Sequence, residues 1–272
     1  MRMNYSILQT VYRSDNPEYL KSTIESMLAQ SLPSDDYVIV EDGPVPEELE
    51  NVILSYEESN PVIHVLRLPQ NVGLGKALNE GLPLCKNELI ARMDSDDISL
   101  PERCEKQVKA FMDDPELDIV GCPVKEFVGT PDNIVGQRLV PLDNESIHRF
   151  NRRRDPFNHP SVMYRKSKVM TYGPYGDYRK NQDTDLWIKL LSKGGCKAIN
   201  LNEFLLMFRF DEGTFRKRKS WTNTKTLINI RWKAFKDKYC SLIDFLVVSG
   251  AQIAIYIMPS GLQRFIYQHI LR

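Results

Sequence analysis

Leu89-Ile90-Ala91-Arg92-Met93-Asp94-Ser95-Asp96-Asp97 opens as an apolar run of strand length and ends in three carboxylates. Like charges crowded at a strand end repel one another, and a cation relieves that repulsion. Oxygen-rich clusters of this kind suit Mg2+ or Mn2+, hard ions that also bridge the phosphates of a nucleotide diphosphate. Asp and Ser are equally at home as turn and N-cap residues, so the cluster alone supports either a metal site or a simple turn.

Outward from this strand, residues 5–120 alternate short apolar runs with longer amphipathic stretches, the pattern of βα units on a mostly parallel sheet. The spacing predicts strands at 5–11, 37–41, 63–68 and 89–93. Helices are expected from Pro17 with Tyr19, Leu20, Ile24, Met27 and Leu28 on one face, over 46–56, over 73–84, and from Pro101 through Phe111. Ligands of open α/β sheets collect at the carboxyl ends of the strands, where Thr10, Asp42 and the Asp94 cluster stand. Beyond Val120 the rhythm decays into Pro- and Gly-punctuated segments with a basic stretch, Arg152-Arg153-Arg154, and one clear helix at 183–192. The chain closes with a basic run, Arg216-Lys217-Arg218-Lys219, and an apolar tail at 242–258 that stops at Pro259.

At 272 residues, 42% hydrophobic and 26% charged, the chain suffices for one large α/β domain and a small appendage. Lys and Arg balance Asp and Glu at 36 each, so no global field draws it to nucleic acid, and none is expected as a partner. Five widely separated cysteines without CxxC spacing argue against a disulfide framework and against a zinc site, which fits a reducing cytoplasm. The N-terminus lacks the basic start and apolar core of a signal peptide.

Five segments together resemble the family 2 glycosyltransferases, whose nucleotide-binding fold is called GT-A. Ile7-Leu8-Gln9-Thr10-Val11-Tyr12 is similar to the family's first strand with its Thr-x-Tyr exit. Val38-Ile39-Val40-Glu41-Asp42-Gly43 resembles the Asp-Asp-Gly-Ser strand end, with Glu41 and Pro44 as departures. Asn71-Val72-Gly73-Leu74-Gly75-Lys76-Ala77-Leu78-Asn79-Glu80-Gly81 resembles the Asn-x-Gly…Ala-x-Asn-x-Gly helix. Asp94-Ser95-Asp96-Asp97 with Pro101-Glu102-Arg103 matches the DxD turn and the helix after it. Gln182-Asp183-Thr184-Asp185-Leu186-Trp187 resembles the Glu-Asp motif, Gln182 standing for Glu. The order and spacing of these segments cover residues 5–210.

The resemblance implies an inverting, metal-dependent transferase that moves a hexose from a nucleotide sugar, commonly a UDP-sugar, to a glycan hydroxyl. It assigns Thr10, Tyr12 and Asp42 to the nucleotide, with the Asp42 carboxylate accepting the imide N–H of uracil. Lys76 and Asn79 would meet the donor at the helix start, unless Lys76 is an ordinary exposed lysine. Asp94 is assigned to ribose or metal, Asp96 to direct coordination of Mn2+ or Mg2+, and Asp97 to support or to capping the next helix. Asp183 is the expected general base, with Asp185 the competing carboxylate on a different helix face. Trp187 either stacks on an acceptor sugar or lies in the core. His159, in the family-like Asn158-His159-Pro160-Ser161, is either a metal or phosphate contact or a structural histidine. Arg209 is read as reaching a phosphate or as forming a surface salt bridge.

On this reading residues 1–215 form the GT-A catalytic domain, 1–120 binding the nucleotide sugar and 121–215 shaping the acceptor side. Residues 216–272 form a helical, membrane-associating region. The tail at 242–258 contains Asp244, Gly250 and Gln252, which suits a helix in the interface better than a span. The basic run before it and an amphipathic stretch at 262–272 favour the inner face of the cell membrane, where a lipid-diphosphate-linked sugar serves as acceptor. A helical pair packed on the catalytic domain is the competing expectation, and Arg152–Arg154 would meet the acceptor diphosphate or form a solvated loop. A nucleotidyltransferase is disfavoured by the absence of glycine in Thr10-Val11-Tyr12-Arg13-Ser14, and a non-catalytic sugar-binding relative by the presence of Asp42, Asp94, Asp96 and Asp183.

Overall fold

The computed structural model describes residues 3–210 and 220–258. Its first half runs β1 (Tyr5–Val11), α1 (Pro17–Leu28), β2 (Asp36–Glu41), α2 (Glu47–Ser59), β3 (Ile63–Arg67), α3 (Leu74–Gly81) and β4 (Leu89–Met93). Every residue of β1, β2 and β4 is buried, and successive side chains point to opposite faces, so each strand feeds two cores. Ile7, Ile39, Ala91 and Met93 pack with Leu20 and Ile24 of α1 and Leu49 and Ile53 of α2. Leu8, Val38, Val40 and Ile90 pack on the other side with Ala77 and Leu78 of α3.

Local chemistry sets the element ends. Asn16 Oδ1 accepts from the amides of Glu18 at 2.9 Å and Tyr19 at 3.2 Å, and Pro17 opens the first turn of α1. Tyr19 departs from the expected apolar face: it is 36% exposed, and its ring lies 3.7 Å below the guanidinium of Arg209. The helix expected over 73–84 ends at Gly81 and continues as one 3-10 turn, Leu82–Leu84, because Pro83 has no amide to extend the α ladder.

The second half holds β5 (Ile98–Ser99), α4 (Arg103–Asp113), β6 (Leu117–Gly121), β7 (Val124–Phe127), β8 (Ile134–Arg138), α5 (Asn144–Asn151), β9 (Met163–Arg165), α6 (Lys166–Tyr172), α7 (Gln182–Ser192), β10 (Lys197–Asn200) and β11 (Leu206–Arg209). The main sheet has the order β10-β6-β9-β4-β1-β2-β3. All its pairs are parallel except those of β9, which runs antiparallel to β4 and β6 and makes the sheet mixed. A second sheet, β5-β11-β7-β8, grows directly out of the acid turn after β4.

Two helices follow, α8 (Trp221–Lys236) and α9 (Leu242–Ile257). Ile230 and Ala234 of α8 pack on Ile188 of α7, and Phe245 of α9 meets the Trp232 ring at 5.2 Å. Ser241 and Asp244 form a capping box at the start of α9, and Asp244 Oδ1 accepts from Arg153 Nε at 2.5 Å. Leu242, Ile243, Leu246, Val247 and Ile257 are exposed on α9. No helix among the described residues is long and apolar enough to cross a membrane. The basic run 216–219 and the amphipathic stretch 262–272 lie outside the described residues.

Candidate active site

The acid turn bridges the two sheets, leaving the main sheet at Met93 and entering the second at Ile98. Its backbone is fixed from several sides: Gln9 Nε2 donates to the Asp94 carbonyl at 3.4 Å, Thr23 Oγ1 to the Asp97 carbonyl at 2.7 Å, and Arg209 Nε to the Asp96 carbonyl at 2.8 Å. Asp97 is fully buried, and its Oδ1 accepts the backbone amide of Arg209 at 2.8 Å. It therefore ties β11 to the turn and does not cap α4, which begins at Arg103 behind Glu102 without a side-chain cap bond.

Ligand oxygens of Asp94, Asp96 and Asp97 lie within 4.8 Å of one another, the one such group among the described residues. Asp96 is the exposed member and Asp94 is half-buried, so the cluster opens to solvent. The surrounding protein and the charges of Asp94 and Asp15 nevertheless push the Asp96 carboxyl up to about 7, against Arg92 and Arg209. Burial, then Asp96 and Asp94, hold the Asp97 carboxyl well above its ordinary range. Its Oδ2 is buried without a hydrogen-bond partner. Three convergent carboxylates with a spare buried oxygen fit a hard divalent cation.

Arg92, a residue assigned no role in the sequence reading, carries the positive charge at the centre of this site. It falls on the face of β4 that Ile90 shares with α3 and α7, is fully buried, and donates through Nη2 to Asp94 Oδ1. Its Nε and Nη1 have no protein partner. Its charge acts on Asp96, Asp97 and His159 and also on Asp183, so the acid turn and the first turn of α7 share one buried cation.

Asp183 sits in the first turn of α7, behind Asn181 in the left-handed conformation, φ 60°. Its enclosure by protein and the negative charge of Asp155 push its carboxyl up to about 7, while it keeps some exposure to solvent. Asp185 is instead held by Lys189 at 2.7 Å. Trp187 is fully buried, edge-on to Phe157 at 5.0 Å and to His159 at 5.8 Å, which makes it core. The His159 Nε2 pairs with the Tyr175 hydroxyl at 2.9 Å, and burial with the nearby Arg92 charge keeps the ring neutral. His159 is not one of the side chains that converge in the acid cluster. A cavity of about 370 Å³ between α7 and α8 is lined by Asp185, Lys189 and Lys233 and by none of these site carboxylates.

At the carboxyl ends of β1 and β2, Thr10 is buried opposite Val40 in β2, and Tyr12 is 40% exposed just past β1. Asp42 follows β2 and gathers the next loop: Oδ1 accepts from the Val72 amide at 2.6 Å, and Oδ2 from the Gly73 amide at 3.0 Å and Asn71 Nδ2 at 2.9 Å. Lys76 pairs with Asp177 at 2.8 Å, and the Asn79 amide exchanges two 2.9 Å hydrogen bonds with the backbone of Tyr175. Arg209 is buried, with the Phe127 ring 4.5 Å from its guanidinium in addition to Tyr19, and donates through Nη1 to the Gly129 carbonyl at 2.8 Å.

Comparison with known proteins agrees with this geometry. The chain is 35% identical to the amylovoran biosynthesis glycosyltransferase AmsE of Erwinia amylovora, over 97% of this chain and 98% of that one. It is 31% identical to the UDP-Gal:alpha-D-GlcNAc-diphosphoundecaprenol beta-1,3-galactosyltransferase of Escherichia coli, over 98% and 96%. The mannosyltransferase PcManGT of Pyrobaculum calidifontis, solved with GDP-Man and Mn2+, superposes with a TM-score of 0.66 at 16% identity, over 97% of this chain and 72% of that one. The family model described as glycosyl transferase family 2 matches residues 6–173, and with the acid turn, the mixed sheet and these relatives it places the chain in glycosyl transferase family 2, with a GT-A fold.

Proposed function

We propose that this protein transfers a hexose from a UDP-sugar to a hydroxyl of a glycan carried on polyprenyl diphosphate, with inversion, in surface polysaccharide synthesis. The observation that carries the reading is the pairing of the Asp94–Asp97 turn with Asp183 around the buried Arg92. The relatives act on related chemistry by their names, one of them on a diphosphoundecaprenol-linked acceptor.

Asp96 and Asp94, with Asp97 behind them, would hold Mn2+ or Mg2+, whose chemistry is to neutralise the charge that develops on a departing nucleotide diphosphate. Thr10, Tyr12 and Asp42 face the nucleotide at the strand ends. Asp42 Oδ1 takes one protein donor, so a second lone pair is left for an imide N–H. Arg209 sets the acid turn through the Asp96 carbonyl, and His159 stays neutral against the Tyr175 hydroxyl. The acceptor oxygen attacks the anomeric carbon as the bond to phosphate breaks on the opposite side. Its proton passes to Asp183, and the bonding electrons leave with the nucleotide diphosphate.

The membrane reading rests on α9. Its outward apolar side chains lie beside the Arg152–Arg154 run, which Arg153 joins to the first turn of α9 through Asp244. A helix with an apolar face beside arginines suits the surface of an anionic leaflet, where the acceptor's diphosphate also lies. A panel of nucleotide sugars, assayed for release of nucleoside diphosphate with and without Mn2+, tests the transferase reading. Turnover of a UDP-hexose that depends on the metal supports it, and inertness toward every donor overturns it.

A further inference from the structure

The face of α3 that the sequence points toward the donor is occupied by another part of the chain. Asn79 Nδ2 donates to the Tyr175 carbonyl and its Oδ1 accepts the Tyr175 amide, both at 2.9 Å. One turn earlier, Lys76 meets Asp177 at 2.8 Å. Ahead of the helix, Asn71 Oδ1 accepts from Arg179 Nη1 at 3.0 Å while Asn71 Nδ2 holds Asp42. Between these contacts the backbones are pressed together: a Cβ on Gly75 would stand 3.1 Å from Tyr175 Cβ, 3.2 Å from Gln182 Cβ and 3.2 Å from the Gly176 carbonyl. The strapped segment, residues 173–182, leads directly into Asp183, and its Tyr175 hydroxyl holds His159.

We infer that Lys76 and Asn79 are positioning residues that strap the segment before α7 and so set Asp183, and that they do not contact the donor. The Asn79 amide commits its carbonyl oxygen and one of its two N–H groups to a single backbone residue, which fixes its orientation toward that segment, and Lys76 already has a counter-ion. The donor-side loop and the base-side segment meet at Asn71, so the nucleotide edge and Asp183 are held by one continuous set of bonds.

The test compares Asn79→Ala, Lys76→Glu, Asp177→Lys and the Lys76→Glu/Asp177→Lys pair in the full chain. Hydrogen exchange of residues 173–183, affinity for UDP with Mn2+, and sugar transfer are measured on each. Loss of both Asn79 bonds should speed exchange and slow transfer by about tenfold or more, with UDP affinity changed by less than about threefold. Each single charge reversal should slow transfer, and the pair should restore it; both side chains are exposed, so these variants fold even where Asn79→Ala does not. A tenfold loss of UDP affinity with unchanged exchange, unchanged exchange and transfer together, or failure of the reversed pair to restore transfer overturns the inference. Its catalytic arm rests on the transferase reading, whereas the exchange arm does not. Failure of the unaltered protein to bind UDP would refute the donor assignment and leave exchange to decide the strap.

Discussion

Asp183 gives the most direct test of the mechanism, because a carboxyl that titrates near 7 makes the rate depend on pH where an ordinary carboxylate would not. Its enclosure and the Asp155 charge raise it from 3.8 to about 7. A base with that pKa is about one-eleventh ionised near pH 6 and about ten-elevenths ionised near pH 8, so transfer at saturating donor should rise about tenfold over that range. A base at the ordinary value would be ionised throughout and the profile flat. Asp183→Asn should lower transfer roughly 100- to 10,000-fold, remove the rise, and leave UDP affinity in place. The assay is initial-rate transfer across the pH range with donor saturating. A flat wild-type profile, or near wild-type transfer by Asp183→Asn, refutes the assignment.

The same shift has a signed effect on stability. The folded-state pKa lies above the unfolded one, so ionisation penalises the fold; the penalty is absent below about pH 4, grows as pH rises, and is complete above about pH 7. Asp183→Asn removes it and should raise Tm by a few degrees near pH 8 with little change near pH 4, as thermal unfolding will show. Asp96→Ala should abolish metal-dependent transfer while the circular dichroism spectrum is retained, and EDTA should do the same to the unaltered protein. Gly81→Ala should lower stability by about 1–3 kcal/mol in thermal unfolding, because a Cβ there would stand 2.4 Å from Val40 Cγ2 and 2.8 Å from Leu8 Cδ1, both in the core. Ile243→Glu with Leu246→Glu should release the protein from anionic liposomes in a flotation assay without changing turnover of a soluble acceptor, since both side chains are exposed on α9.

The βα half was legible because its signals are local. β1 and β4 fall where the apolar runs are, and α1 starts at its own cap. The second sheet escaped notice because its strands are two to five residues long and its inner strand β11 pairs across great sequence distance, Leu206 with Ser99 for instance. The surroundings of Arg209 were hidden for the same reason: nothing near it in sequence announces Tyr19 and Phe127 around its guanidinium. Asn79 and Tyr175 are 96 residues apart, so their bonds leave no local trace. Arg92 was within reach, since an arginine in an otherwise apolar strand must find a counter-charge, and Asp94 stands two residues on.

The acid turn also decides how the halves of the chain depend on each other. Residues 94–97 descend from the main sheet, yet Asp97 holds its place by accepting the amide of Arg209, the last residue of β11. From the other side, Arg103 at the start of α4 donates to the carbonyls of Arg92 at 3.3 Å and Pro160 at 2.6 Å, joining the β4 backbone to the segment before β9. A chain cut after residue 120 would keep the three carboxylates and lose Arg209, Pro160 and Asp183 together. The buried Asp97 would then lack its donor, and an unpaired buried acid costs more than the bond it once made. The acid turn and Asp183 are thus products of one folding unit, and the proposed chemistry needs both halves of the chain.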